Sequence, residues 1–94
     1  MGYVGYCVLP GFVDAHTHAL FIGDRSKEFQ MKLENKTYTD IYNEGLGIRY
    51  TTDGVRKATD EELLANLSRY LEKMLQHGTT TVEVKSGYGL DTDS

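Results

Sequence analysis

An apolar run that turns abruptly into two histidines, Leu9-Pro10-Gly11-Phe12-Val13-Asp14-Ala15-His16-Thr17-His18, restricts this chain more than any other feature. Pro10-Gly11 is a turn signal. The segment after it, apolar on both faces, reads as a strand buried on both sides within a parallel sheet. On an extended chain, side chains i and i+2 point the same way. His16 and His18 therefore offer two imidazole nitrogens to one ion from a single rigid element. Asp14 shares that face one layer deeper, where its carboxylate is expected to orient a ligating imidazole. An isolated H-x-H recurs by chance, and it is the context that favours metal. Histidine and aspartate are costly to bury without partners.

The rest of the chain supplies the return half of a crossover. Residues 1–8 are rich in glycine and tyrosine and read as a short strand or a frayed lead-in. A helix is expected over Ser26–Glu34, with Ser26 as N-cap and Phe29 and Leu33 at helical spacing. A second short helix is expected from about Thr39 to Glu44, and Ile48–Gly54 reads as a loop because Thr51-Thr52-Asp53-Gly54 is turn-rich. The clearest element is Asp60–His77. Leu63, Leu64, Leu67, Leu71, Met74 and Leu75 form one apolar stripe at helical period. Thr59 and Glu62 make a capping box, acidic residues fill the first turn, and Lys73 and His77 sit near the end, matching the helix dipole. His77 is explained by that dipole rather than as a ligand, and Gly78 supplies a left-handed terminus. A β-branched strand, Thr79–Lys85, follows. Strand, helices, strand is a βαβ-type crossover and implies a parallel pair.

Composition bounds the partners. The chain has 94 residues and a formal charge of −4, with 10 basic and 14 acidic side chains well mixed. Without a basic block, nucleic acid is not an expected partner. No apolar run approaches the ~20 residues of a membrane span, and no signal-peptide pattern follows Met1. The single cysteine, Cys7, rules out an internal disulfide and fits a reducing, cytoplasmic setting.

In parallel sheets chemistry gathers at the carboxyl ends of strands. One such end carries His16 and His18, followed by Gly23-Asp24-Arg25; the other carries Lys85, followed by Ser86-Gly87-Tyr88-Gly89-Leu90. Arg25 offers a planar two-pronged donor suited to a carboxylate. Tyr88, between glycines that let a ligand approach closely, offers a hydroxyl and an aromatic face. Taken singly, Arg25 reads equally as a solvated charge and Tyr88 as a packing residue, while Glu83 and Lys85 fit a structural ion pair. Their position at two neighbouring strand ends is what joins them into a candidate site.

Leu9-Pro-Gly-Phe-Val-Asp-Ala-His-Thr-His18 resembles the first barrel strand of the metal-dependent amidohydrolase superfamily. Gly23-Asp24-Arg25, Glu28-Phe29, Met31-Lys32-Leu33, Tyr38, Ile48, Arg56, Glu62-Leu63, Gly78-Thr79-Thr80 and Lys85-Ser86-Gly87-Tyr88-Gly89-Leu90, in that order, narrow the resemblance to the imidazolonepropionase family. The resemblance implies an α/β fold, a partial (β/α)₈ TIM barrel made of its first two strands and the helices between them. Residues 1–10 would be the junction to a small β domain and residues 11–94 the N-terminal part of the barrel. It implies that His16 and His18 ligate one zinc or iron ion, and that Arg25 and Tyr88 bind 4-imidazolone-5-propanoate. A metal-activated water would open its ring to N-formimino-L-glutamate, in a full-length protein expected to be a homodimer. One departure is Gly45-Leu46-Gly47, where the family usually shows three glycines. The family's further ligands and its acid and base have no counterpart in this chain, so no catalytic residue is assigned within it. The chain is thus expected to be part of a longer barrel, without turnover alone. The rival expectations are another amidohydrolase, dihydroorotase-like or deaminase-like, and a truncated, non-catalytic binding product.

Overall fold

The computed structural model describes residues 4–93. Two strands, β1 (Phe12–Thr17) and β2 (Thr79–Val84), pair in parallel as a two-stranded sheet. Four helices lie between them in sequence: α1 (Ser26–Leu33), α2 (Tyr38–Asn43), α3 (Ile48–Lys57) and α4 (Asp60–Gln76). The pairing sets Phe12 beside Thr79 and Thr17 beside Val84, with register shifts between Phe12 and Val13 and between Asp14 and Thr17. The Phe12 N–H donates to the Gly78 carbonyl at 2.9 Å, and the Lys85 N–H donates to the Thr17 carbonyl at 2.8 Å. Both carboxyl ends therefore leave the sheet at the same edge.

α4 follows its sequence pattern closely. Thr59 accepts from the Glu62 N–H at 3.2 Å while the Glu62 carboxylate accepts from the Thr59 N–H at 2.8 Å, a reciprocal cap whose hydroxyl half is worth roughly 1 kcal/mol. Leu63, Leu67, Leu71 and Met74 form its half-buried face, although Leu64 and Leu75 of the expected stripe stay exposed. His77 caps the end, its Nδ1 2.8 Å from the Lys73 carbonyl, and Gly78 turns the chain at φ 96°.

Several expectations need correction. Ile48–Gly54 is not a loop: it opens α3, which buries Thr51, Thr52 and Val55 on one face. Threonine and the Asp53-Gly54 pair have poor helix propensity, and packing of that face overrides it. Ser26 is not the N-cap of α1. Arg25 occupies the cap position, and it is Asp24 that accepts from the Ser26 N–H, at 2.8 Å. The face of α1 that is buried carries Glu28, whereas Phe29 and Leu33 are exposed. β1 is not covered on either face by the described residues, with Phe12 68% and Val13 69% exposed. Residues 4–10 form a turn and exposed irregular backbone rather than a strand; the part of that lead-in at residues 1–3 lies outside the described residues.

The buried apolar side chains among the described residues are Ala19, Ile41, Leu46 and Val55. They lie in the segment spanning α2 and α3 and the exit from β1, not between sheet and helix. Leu46, the departure from three glycines, is one of them, so its side chain packs inward and the turn geometry falls to Gly45 and Gly47, at φ 74° and 85°.

Gly11 governs the approach of the strands. A Cβ at this position would lie 2.6 Å from the Cβ of Thr80 and closer still to its hydroxyl. A short, branched side chain cannot swing clear, so the strands would have to part. Gly11→Ala is expected to destabilise the intact protein by about 1–3 kcal/mol, seen as a lowered thermal midpoint, with recovery in the Gly11→Ala/Thr80→Gly double variant.

Candidate functional site at the carboxyl ends of the strands

His16 is the penultimate residue of β1 and His18 follows its end. Their ring centroids are 5.0 Å apart with planes at 83°, so the two imidazoles sit side by side as the strand spacing requires. Metal–nitrogen bonds of about 2.0–2.1 Å in a tetrahedral arrangement hold two ring centroids roughly 5 Å apart. The observed centroid separation is of that size. Among the described residues no group of three or more His, Cys, Asp or Glu side chains is assembled to hold a metal; His16 and His18 stand as a pair.

Asp14 does not orient either ring. Its carboxylate accepts from the backbone N–H of His16 at 3.3 Å. The carboxylate that faces the His16 ring comes from the other strand: Glu83 Oε2 lies 4.0 Å from His16 Nδ1, and Glu83 Oε1 lies 2.9 Å from Lys85 Nζ. The Glu83–Lys85 ion pair expected from strand alternation is present, with His16 on its flank.

Arg25 and Tyr88, remote in sequence, line one cleft with Phe21, Gly23, Asp24 and Thr51. Its volume is about 350 Å³, within the range of small-ligand sites. The Tyr88 ring lies 5.9 Å from that of His18 and 6.3 Å from that of Phe21. Histidine pair, tyrosine and arginine are thus contiguous. Phe21 is itself stacked on Tyr70 of α4 at 4.9 Å, which fixes one wall of the cleft.

Each wall has a local cause. Asp24 accepts hydrogen bonds from the hydroxyl and then the N–H of Ser26, and these hold its carboxyl below the ordinary carboxylate range. Its contribution is full above that range and is lost as pH falls through the lowered value. That cap sets the start of α1 and hence the position of Arg25. Arg25 Nε donates to Thr51 Oγ1 at 3.2 Å and faces Glu28 Oε2 at 3.9 Å. Glu28 is buried and also pairs with Lys32 at 3.2 Å. On the far side, Arg56 Nε donates to the Gly89 carbonyl at 2.7 Å and pairs with Asp91 at 3.1 Å. α3 therefore braces both the arginine and the tyrosine loop. Sequence reasoning gave Thr51 and Arg56 no role at the site because it missed α3, although Thr51, Thr52 and Val55 carry the helical spacing that reveals the element.

Residues 7–87 match the sequence profile of the Amidohydrolase family. This chain belongs to the amidohydrolase family. It is 63% identical over 90 residues to the imidazolonepropionase of Haloarcula marismortui, a match covering 96% of this chain and 21% of that protein. The imidazolonepropionase of Halobacterium salinarum is 62% identical, over 96% of this chain and 22% of its own length. The probable imidazolonepropionase of Homo sapiens is 51% identical, over 96% and 21% respectively. The chain spans about one fifth of the length of the curated relatives it matches. Amidohydrolases are in general metal-dependent, and the described helices include none long and apolar enough to cross a membrane.

Gly87 has a specific place in this arrangement. A Cβ there would lie 2.9 Å from His18 Nδ1 and 3.6 Å from its Cβ. Gly87→Ala is expected to turn the His18 ring, shifting its imidazole NMR resonances while those of His77 stay in place. Unchanged His18 signals would show that the ring is not held by this loop.

Proposed function

We propose that this chain forms the metal-binding N-terminal part of an imidazolonepropionase, a hydrolase of histidine degradation that opens the ring of 4-imidazolone-5-propanoate to give N-formimino-L-glutamate. One observation carries the reading: Arg25 and Tyr88 share a cleft that adjoins the paired imidazoles. A ligand reaching from the histidines to Arg25 needs a polar ring at one end and an acid at the other. The names of relatives at 51–63% identity agree with that chemistry.

His16 and His18 hold zinc or iron, since imidazole suits both. Such an ion, when bound, supplies an activated water by lowering its pKa to about 7. Arg25 takes the propanoate carboxylate through its forked N–H groups, a charge-assisted contact with fixed orientation. Thr51 holds the guanidinium from the Nε side, leaving its terminal amino groups for the ligand. Tyr88 presents its hydroxyl and ring face beside His18, orienting the imidazolone and excluding water from that side of the cleft. Phe21, stacked on Tyr70, supplies the apolar wall.

The exposed apolar residues of β1, Phe12 and Val13, support a (β/α)₈ barrel in which further strands and helices cover this sheet. Two imidazoles fall short of the three protein ligands common at catalytic zinc, so the 94-residue polypeptide by itself is expected to show no turnover. Its single Cys7 suits a reducing cytoplasm.

In the intact protein carrying this sequence, Arg25→Ala is expected to lower kcat/KM for 4-imidazolone-5-propanoate by about 10²-fold, the loss expected for a hydrogen-bonded charge. The same variant is expected to leave turnover of the propanamide analogue nearly unchanged. A chelator should abolish the reaction and added zinc or iron restore it. Full activity on the acid in Arg25→Ala would direct attention to another amidohydrolase substrate.

A further inference from the structure

The carboxylate of Glu83 is set against the imidazole pair in a way its ion pair does not explain. Glu83 near the end of β2 and Lys85 just beyond it stand two residues apart, and Lys85 Nζ engages Glu83 Oε1 at 2.9 Å. The second oxygen, Oε2, is buried and accepts no hydrogen bond. It lies 4.0 Å from His16 Nδ1, a small side-chain rotation short of a hydrogen bond. Asp14, the other carboxylate beside His16, is already engaged with the backbone N–H of that residue. A buried carboxylate oxygen without a donor is costly, and the His16 ring nitrogen 4.0 Å away is placed to supply one.

We propose that Glu83 is a positioning residue for the metal centre: it receives the Nδ1–H of His16 and thereby presents Nε2 to the ion. This rests on the reading of His16 as a ligand. A carboxylate on the outer nitrogen fixes the tautomer and the ring orientation and raises ligand basicity. Lys85 holds the carboxylate from the far side, so that Oε2 rather than Oε1 is directed at the ring. The register of the strands makes this possible, because the residue after His16 is the one paired with the residue after Glu83.

The test uses the intact protein, stripped of metal and titrated with Zn²⁺ against a chromophoric chelator. Glu83→Ala is expected to weaken Zn²⁺ binding by about 10–100-fold. Glu83→Gln, which keeps an acceptor oxygen, is expected to recover much of that loss. In the metal-free protein, imidazole ¹⁵N shifts should report the Nδ1–H tautomer of His16 in the parent and a swing toward Nε2–H in Glu83→Ala. A purely structural role for Glu83 would leave that tautomer unmoved. Unaltered Zn²⁺ affinity in Glu83→Ala, together with a weakened His16→Ala control, overturns the role of Glu83 alone. Unaltered affinity in His16→Ala overturns the ligand reading beneath it. Should Glu83→Ala fail to fold, Glu83→Gln and the His16 tautomer of the parent still decide: an Nε2–H parent tautomer rejects the proposal.

Discussion

Everything at this site depends on the parallel pairing of β1 with β2. Parallel strands finish at the same edge, and here the pairing is carried to that edge. The Thr17 carbonyl accepts from the Lys85 N–H at 2.8 Å, and the Thr17 hydroxyl donates to the Glu83 carbonyl at 2.8 Å. The consequence is a row of chemistry-bearing side chains from two distant stretches of sequence: His16 and His18 from one, Glu83, Lys85 and Tyr88 from the other. At the opposite edge the bare backbone of Gly11 lets the strands close against Thr80. A slip by one residue would send the histidines to the other face of the sheet. Register is thus a functional constraint as well as a structural one.

The helices between the strands do different work. α4 is the ordinary return helix, long, capped at both ends and packed on β2. α1, α2 and α3 form an insertion at the carboxyl end of β1 with its own small core of Ile41, Leu46 and Val55. That insertion carries Arg25 at its start, Thr51 in its middle and Arg56 near its end. It is the part that shapes the cleft, since Arg25 and Thr51 form one side of it and Arg56 anchors the loop that bears Tyr88 on the other.

What was legible in the sequence follows from which forces are local. β1, α4, its Thr59–Glu62 cap, the His77–Gly78 terminus and β2 all declare themselves through periodicity or through hydrogen bonds within four residues. The imidazole pair does as well, because the spacing i, i+2 on an extended chain is enough to place both rings on one side. α3 was hidden because Thr51, Thr52, Asp53 and Gly54 disfavour a helix in isolation, and only burial of Thr51, Thr52 and Val55 against the insertion reverses the balance. Asp24 and Ser26 are both good capping residues, and only the folded geometry decides that Asp24 is the acceptor. Glu83 was legible as a partner of Lys85 but not of His16, because no pattern within one strand shows what a neighbouring strand places beside it.

The two short motifs divide their work residue by residue. In Gly23-Asp24-Arg25 the glycine turns the chain at φ 77°, the aspartate caps α1 through Ser26, and the arginine is thereby delivered to the cleft wall. In Lys85-Ser86-Gly87-Tyr88-Gly89 the lysine fixes Glu83, the first glycine clears space for the His18 ring, the tyrosine stands beside that ring, and the second glycine offers its carbonyl to Arg56. Few of these residues would touch a ligand directly. Most determine where Arg25, Tyr88 and the imidazoles stand, within tolerances of a few tenths of an ångström at Gly87. A geometry that tight explains why the resemblance resides in whole motifs rather than in isolated residues: altering a spacer such as Gly87 displaces the His18 ring without touching His18 itself.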